Sequence, residues 1–397
     1  MSDASFQYER YSGDASDMEA LADILSWSFG FPAIDAEPWL RRGGLENVRV
    51  LRRGKAIAAC LLLIPMGQFF GGKSVRMAGV AGVATAATAR GTGAATVLMR
   101  AAVEEMRSYE YPISTLYPAT RTLYRRAGYE PAGGRFEISV PVKALKAVDR
   151  ATDIRPFEPK DEAAVMAAYS AYARDVPGHL DRGDYVWYRI KNPRGESVRG
   201  FVIEGSGRGA KLDGYVFAYE KRRPTYHYDL HLTDIVARTP RAVRRLLTFL
   251  ADHTTMAENL SWYTGPASPL VQALPEVGYT MQLHDNWMIR IVDVRGALEG
   301  RDYPEGIEME VHLAITDDLL PDNNGKFVLQ VAGGKGRVKK GGRGRLRLDI
   351  RGLAPLFSGH LTPIALEVAG LIEGPAAELS RAATVFGAGA PWMPDMF

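Results

Sequence analysis

Apolar residues recur at helical spacing in 17–29, where Met18, Leu21, Ile24 and Leu25 share one face, so a first helix is predicted there. The stretch 28–39, which runs Ser-Phe-Gly-Phe-Pro-Ala-Ile-Asp-Ala-Glu-Pro-Trp, breaks that spacing and reads as a loop rich in aromatics and acids. Strands are predicted at 47–52, 56–70 and 73–85, with Arg53-Gly54 and Gly71-Gly72 as antiparallel turns between them. An apolar run from Val80 then passes through small residues into Arg90-Gly91-Thr92-Gly93-Ala94-Ala95. A helix with Val97, Leu98, Ala101, Ala102 and Met106 on its apolar stripe follows and ends near Tyr109. A strand at 113–117, a short helix at 123–127 stopping at Gly128, and a strand at 135–140 complete this first unit.

A composition shift at 143–159 reads as a linker, after which the theme repeats loosely. Helix 161–172, strands near 200–204, 211–220 and 225–236, helix 240–253 and strand 260–263 are predicted. Here Arg238-Thr-Pro-Arg-Ala replaces the glycine-bearing turn, and Pro240 suits a first helical position but offers no N–H to an anion. The second unit therefore reads as a degenerate copy without a cofactor. A third unit begins at about 296, with strands 307–315, 326–331 and 345–349 before helices around 351–356, 362–369 and 375–386. The basic, glycine-rich run 333–345 reads as a solvated hairpin loop; it lacks the aromatics that would stack on nucleic acid. The last residue, Phe397, is a large aromatic, and its ring is expected to pack inside the protein. The whole is of α/β (α+β) class, in mixed sheets flanked by helices.

Composition narrows the function classes. Of 397 residues, 46% are hydrophobic and 24% charged, the balance of a globular protein. A net charge of +3 implies no general affinity for polyanions, so no nucleic-acid partner is expected. The polar opening MSDASFQYER does not read as a secretory signal, and the longest apolar run, 56–66, is too short to span a membrane. The lone Cys60 lies in that run and reads as a core residue of a cytoplasmic protein.

The turn at Arg90–Ala95 carries the first chemistry. A strand, a glycine-bearing turn and a helix start direct several N–H groups and the positive end of the helix dipole to one point, where a pyrophosphate fits. Gly91 and Gly93 would let it approach without a Cβ in the way. An ordinary strand-to-helix connection has the same spacing, so the pattern alone leaves both readings open. His227-x-Asp229-x-His231 alternates on one strand face, but no third-ligand motif accompanies it, and a half-buried polar face is the better reading. No metal is expected.

Read together, the Arg90-x-x-Gly93-x-Ala95 turn, the segment Tyr124-Arg-Arg-Ala-Gly128-Tyr129 and the final Phe397 resemble the enhanced intracellular survival (Eis) family of acetyltransferases. The resemblance covers essentially the whole chain. It implies a catalytic GNAT domain over 1–150, a degenerate second GNAT-like domain over 151–295, and a sterol carrier protein-like domain over 296–397. It implies acetyl-CoA as co-substrate, with Val83, Ala84 and Thr85 on the strand that pairs with the pantetheine arm. Arg90, Gly91, Thr92, Gly93, Ala94, Ala95 and Thr96 would span the pyrophosphate turn, and Ala119 and Thr120 would touch the coenzyme after the next strand. Two departures stand out. Relatives often carry arginines where this chain has Gly91-Thr92, and often a Ser-Glu pair in place of Ala119-Thr120. Tyr124 matches the family's proton donor, and the carboxylate of Phe397 its proton acceptor. A homohexamer is implied as well.

The residue types suit that chemistry. Acetylating an amine with a thioester needs a neutral amine, a site for developing negative charge and a proton for the leaving thiolate. A phenol near pKa ~10 stays protonated at neutral pH and can supply that proton. The α-carboxylate of Phe397 can attract an ammonium and pass on its proton through water. Main-chain N–H groups around Val83 are candidates to polarise the thioester carbonyl. Aromatic walls and acids for a cationic acceptor are offered by Phe29, Phe31, Asp35, Glu37 and Trp39, with Asp395 as a further charge. The expected acceptors are small-molecule or lysine amines: aminoglycosides, polyamine-like compounds or lysine side chains. The alternative is an acyl-CoA or lipid-binding carrier working through the C-terminal domain.

Overall fold

In the computed structural model, residues 5–206, 211–387 and 389–397 are described. The chain divides into two units: residues up to Gly133 with Trp287–Ala390 and Phe397, and Gly134–Asn286 with Pro391–Met396.

The first unit opens with β1 (Phe6–Arg10) and α1 (Ala15–Phe29). Asp14 caps α1 by accepting from the Ser16 N–H at 2.8 Å, and Gly30, at φ +69°, ends it. The buried face is Asp17, Met18, Leu21, Ile24 and Leu25, as the spacing predicts. The next stretch is not a loop. A 3-10 turn at Ala33–Asp35 leads into α2 (Ala36–Gly43), whose buried Ala36, Leu40 and Gly43 recur every three or four residues. Pro38 hid this helix from the sequence reading, although proline is tolerated in a first turn, where the N–H groups are unpaired anyway.

β2 (Val48–Arg53), β3 (Ala56–Phe70) and β4 (Lys73–Thr85) form an antiparallel meander beside β1. β4 then pairs in parallel with β5 (Ile113–Leu116), and α3 (Ala94–Ser108) makes the crossover. Met288–Ile291, the end of the strand Thr280–Ile291, adds antiparallel to the far side of β5. That strand was not anticipated. α3 buries Ala94, Leu98, Met99, Ala102, Val103 and Met106, whereas Val97, assigned to its apolar stripe, is exposed. Cys60 is buried on β3, and desolvation pushes its thiol up to about 12.

The same unit contains a four-stranded sheet in the order Lys335–Lys340, Gly325–Ala332, Met309–Thr316 and Leu346–Asp349. Lys335–Lys340 lies inside the basic run expected to be a loop. Only Val338 of that strand is buried, so its pattern of cations and glycine concealed a strand that pairs along its full length with Gly325–Ala332. Helices Ile350–Ser358, Pro363–Val368 and Ala376–Phe386 accompany this sheet, with Leu353, Leu356, Phe357, Leu379 and Phe386 buried. Buried Arg290 meets Asp317 at 2.6 Å, and a Cβ added to Gly128 (φ +84°) would lie 2.6 Å from that guanidinium.

In the second unit the strand segment 134–141 pairs with Ala257–Thr264, which runs parallel to Tyr228–Ala237. Leu212–Arg222, Arg199–Glu204 and the short Arg155–Pro156 continue the sheet. Thr239 caps the helix Pro240–Ala251 through Ala242 N–H at 3.2 Å. Helix Glu162–Ala173 falls where expected; Asp184–Lys191 was not foreseen. The polar strand face is satisfied residue by residue: His227 with Glu258 at 2.8 Å, Asp229 with Arg223 at 2.9 Å, and His231 with Ser261 at 2.8 Å.

Candidate active site

β4 and β5 part company midway. Their pairing ends at Val80 with Leu116, while β4 continues to Thr85. Among the described residues, Ala81–Thr85 therefore have no partner strand on the β5 side, and an extended amide-bearing ligand can complete that edge. On the other side Cys60 pairs with Ala84 and Leu62 with Ala81, so Gly82 and Val83 stand opposite the single residue Leu61. This is a β-bulge, with Gly82 at φ +59°. Trp39 of α2 lies over it: a Cβ on Gly82 would come within 2.4 Å of the indole ring. The bulge was not legible in the sequence; a glycine inside an apolar strand was its only trace.

Downstream, Gly91 (φ +77°) and Gly93 (φ +85°) take the left-handed conformation that other side chains resist. Thr92 folds inward, its hydroxyl donating to the Ala89 carbonyl at 2.6 Å. The Thr96 and Val97 N–H groups return to the Gly93 carbonyl at 3.0 and 3.1 Å. Among the described residues, the N–H groups of Gly91, Gly93, Ala94 and Ala95 meet no backbone acceptor. They sit at the positive end of the 15-residue α3, and a Cβ on either glycine would project into open space. The donor set fits a pyrophosphate. Arg90 is exposed at the start of the turn.

Ala119 and Thr120 are exposed beyond β5, and Thr120 begins α4 (Arg121–Arg125). Tyr124 on α4 is buried, with its ring edge-on to Tyr129 at 6.2 Å. Tyr129 in turn shares a 2.8 Å hydrogen bond with Ser114, whose hydroxyl donates to the Ala78 carbonyl of β4 at 2.8 Å. The Tyr124 hydroxyl has no hydrogen-bond partner among the described residues, and burial pushes it up to about 12. Phe397 is buried next to the following β4 residue. A Cβ on Gly79 would lie 2.9 Å from its ring, and Tyr117 packs on it at 5.9 Å. Ala78 and Gly79 thus support the two groups, and neither Gly79 nor Tyr117 stood out in the sequence.

The proposed acceptor residues differ in their surroundings. Phe29 is half exposed and stacks on buried Phe31 at 6.4 Å. Asp35 is exposed, Glu37 is paired with Arg41 at 2.6 Å, and Trp39 covers the bulge. Asp395 is in the second unit, buried, with its carboxylate bonded to Arg182 at 2.7 and 3.0 Å. A carboxylate so committed is not available to meet a substrate ammonium, which removes it from the acceptor residues.

Comparison with known proteins gives this geometry its context. Residues 11–132 and 178–291 each match an acetyltransferase (GNAT) domain, and 294–394 match a sterol carrier protein domain. A crystal structure of a GCN5-related N-acetyltransferase from Anabaena variabilis is 36% identical, with a TM-score of 0.94 over 99% of this chain and 100% of that one. The N-acetyltransferase Eis of Mycobacterium tuberculosis is 26% identical over 66% of this chain and 65% of its own length. The chain belongs to the Eis-like family of GCN5-related N-acetyltransferases. An uncharacterized N-acetyltransferase of Streptomyces avermitilis, 28% identical over 82% of this chain and 83% of its own, is another relative of this Eis-like acetyltransferase. GNAT enzymes use acetyl-CoA, so the open β4 edge and the α3 turn of this Eis-like enzyme are where a coenzyme is to be sought. Among the described residues of the Eis-like chain, no helix is long and apolar enough to cross a membrane.

Proposed function

We propose that the protein transfers the acetyl group of acetyl-CoA to a primary amine by direct attack on the thioester. The observation that carries this is the presence, on one strand–turn–helix unit, of a β4 edge without a partner strand and four N–H groups without a backbone acceptor among the described residues. In this reading Val83, Ala84 and Thr85 hold the pantetheine arm, residues 90–96 hold the pyrophosphate, and Ala119 and Thr120 touch the coenzyme beyond β5. The Val83 N–H, at the bulge, polarises the thioester carbonyl as charge develops on its oxygen.

Tyr124 gives its phenolic proton to the departing thiolate; that hydroxyl meets no acceptor among the described residues. The carboxylate of Phe397 takes a proton from the acceptor's ammonium, directly or through water, and so frees the neutral amine that attacks. Residues 1–150 would be the catalytic domain, 151–295 the degenerate copy, and 296–397 the domain that delivers Phe397. The acceptor class is a cationic amine, such as an aminoglycoside, a polyamine or a lysine side chain, with Trp39, Phe31, Phe29, Asp35 and Glu37 as its walls. The working assembly is a cytoplasmic homohexamer. The C-terminal sheet is packed with its own Leu353, Leu356, Phe357 and Phe386, which favours catalysis over lipid carriage. Release of coenzyme A thiol over a panel of amines tests the reading: turnover with at least one cationic amine is expected, and none over a broad panel contradicts it.

A further inference from the structure

The segment 391–396 is held in the second unit by an unusual density of contacts. Its main chain is bonded at both sides of Gly134: Gly134 N–H donates to the Pro391 carbonyl at 3.2 Å and Met393 N–H to the Gly134 carbonyl at 3.1 Å. Trp392 N–H reaches the Pro177 carbonyl at 3.2 Å, and Arg135 Nε the Pro394 carbonyl at 3.0 Å. The Trp392 ring stands edge-on to His179 at 4.3 Å and lies where a Cβ on Gly265 would be, 2.4 Å away.

At the centre is Arg182, whose side chain is 0% exposed. It donates to Asp395 at 2.7 and 3.0 Å and to Asp234 at 2.6 and 3.1 Å, with Tyr169 under its guanidinium at 3.5 Å. Tyr215 donates to Asp234 at 2.6 Å; Tyr169 donates to the Leu180 carbonyl at 2.8 Å, with Asp395 a longer second acceptor at 3.3 Å. One cation thus serves two buried carboxylates, one from the sheet and one from the terminal segment. A bidentate fork bridging two acids fixes direction as well as distance, which a lysine cannot reproduce. Two peptide bonds separate Asp395 from Phe397, so fixing one leaves the other only about 7 Å of reach.

We propose that Arg182, braced by Asp234, is the anchor of the segment 391–396 and hence a positioning residue for Phe397. Its effect on turnover rests on the reading of Phe397 as the proton acceptor; its effect on the order of the segment does not. Arg182→Lys, Asp395→Asn and the milder Tyr169→Phe, each in the full chain, separate these. Hydrogen exchange read by mass spectrometry should show 391–397 protected in the wild type. In the first two variants exchange there should quicken at least about tenfold, with the rest of the second unit unchanged; Tyr169→Phe should move it less, in the same direction. The kcat should fall about tenfold and the KM for acetyl-CoA stay within about twofold, since the donor site is untouched. Unchanged exchange at 391–397 in folded Asp395→Asn and Arg182→Lys protein overturns the anchor. Faster exchange with unchanged kcat upholds the anchor and removes Phe397 from the mechanism.

Discussion

Gly79 is the seat of Phe397: a Cβ on this β4 residue would lie 2.9 Å from the phenylalanine ring and 2.7 Å from the Met66 methyl. The Met66 methyl can move aside, but the ring would have to leave. Gly79→Val should therefore displace Phe397 and lower kcat about tenfold at a stability cost of about 1–3 kcal/mol. Steady-state kinetics beside thermal unfolding check this, and a full-rate Gly79→Val enzyme would show that Phe397 need not sit there.

The proposed coenzyme turn leads to a second prediction. Gly93 is at φ +85°, so Gly93→Val strains the backbone by about 1–2 kcal/mol and puts a branched side chain in the open space before the free N–H groups. The KM for acetyl-CoA should rise about tenfold or more. In the converse direction, Thr92→Arg should tighten coenzyme A binding severalfold, with a gain that fades as salt is raised. Calorimetric titration at two ionic strengths measures both.

Burial holds the Tyr124 phenol up to about 12, so the proton that the proposed mechanism asks it to donate is in place throughout the neutral and mildly alkaline range. The kcat profile should show no falling limb from this group below about pH 10. A limb near pH 8 that disappears in Tyr124→Phe would contradict the assignment.

Two histidines of the second unit should make it acid-labile. Desolvation lowers His231 to about 4 and His179 well below its ordinary value. A histidine with a depressed folded pKa contributes stability that is complete above the unfolded value, ~6.5, and lost as pH falls toward the folded one. The melting temperature should drop between pH 6.5 and 4, and His231→Gln should flatten part of that slope.

The sequence revealed some parts of this molecule more readily than others. The bounds of β3 and β4 were readable to the residue, because two largely buried, mostly apolar stretches are separated by Gly71-Gly72, both at positive φ. Lys335–Lys340 and α2 were not, since the first shows a single buried side chain and the second is amphipathic with a proline in its first turn. The glycine-bearing turn at 90–95 is a local pattern and was visible as an anion-site candidate. The bulge at Gly82 depends on pairing with β3, and the Arg182–Asp395 contact joins residues 213 positions apart. Neither leaves a local periodicity to read. Asp395 consequently looked like a pocket acid, while its carboxylate is spent on Arg182.

The central claim is that Tyr124 protonates the leaving thiolate. Removing only its hydroxyl, in Tyr124→Phe, and following coenzyme A release at saturating acetyl-CoA and amine tests this most directly. A fall in kcat of about 100-fold or more, with the KM for acetyl-CoA within about twofold, is predicted. A kcat within about twofold of wild type would contradict it.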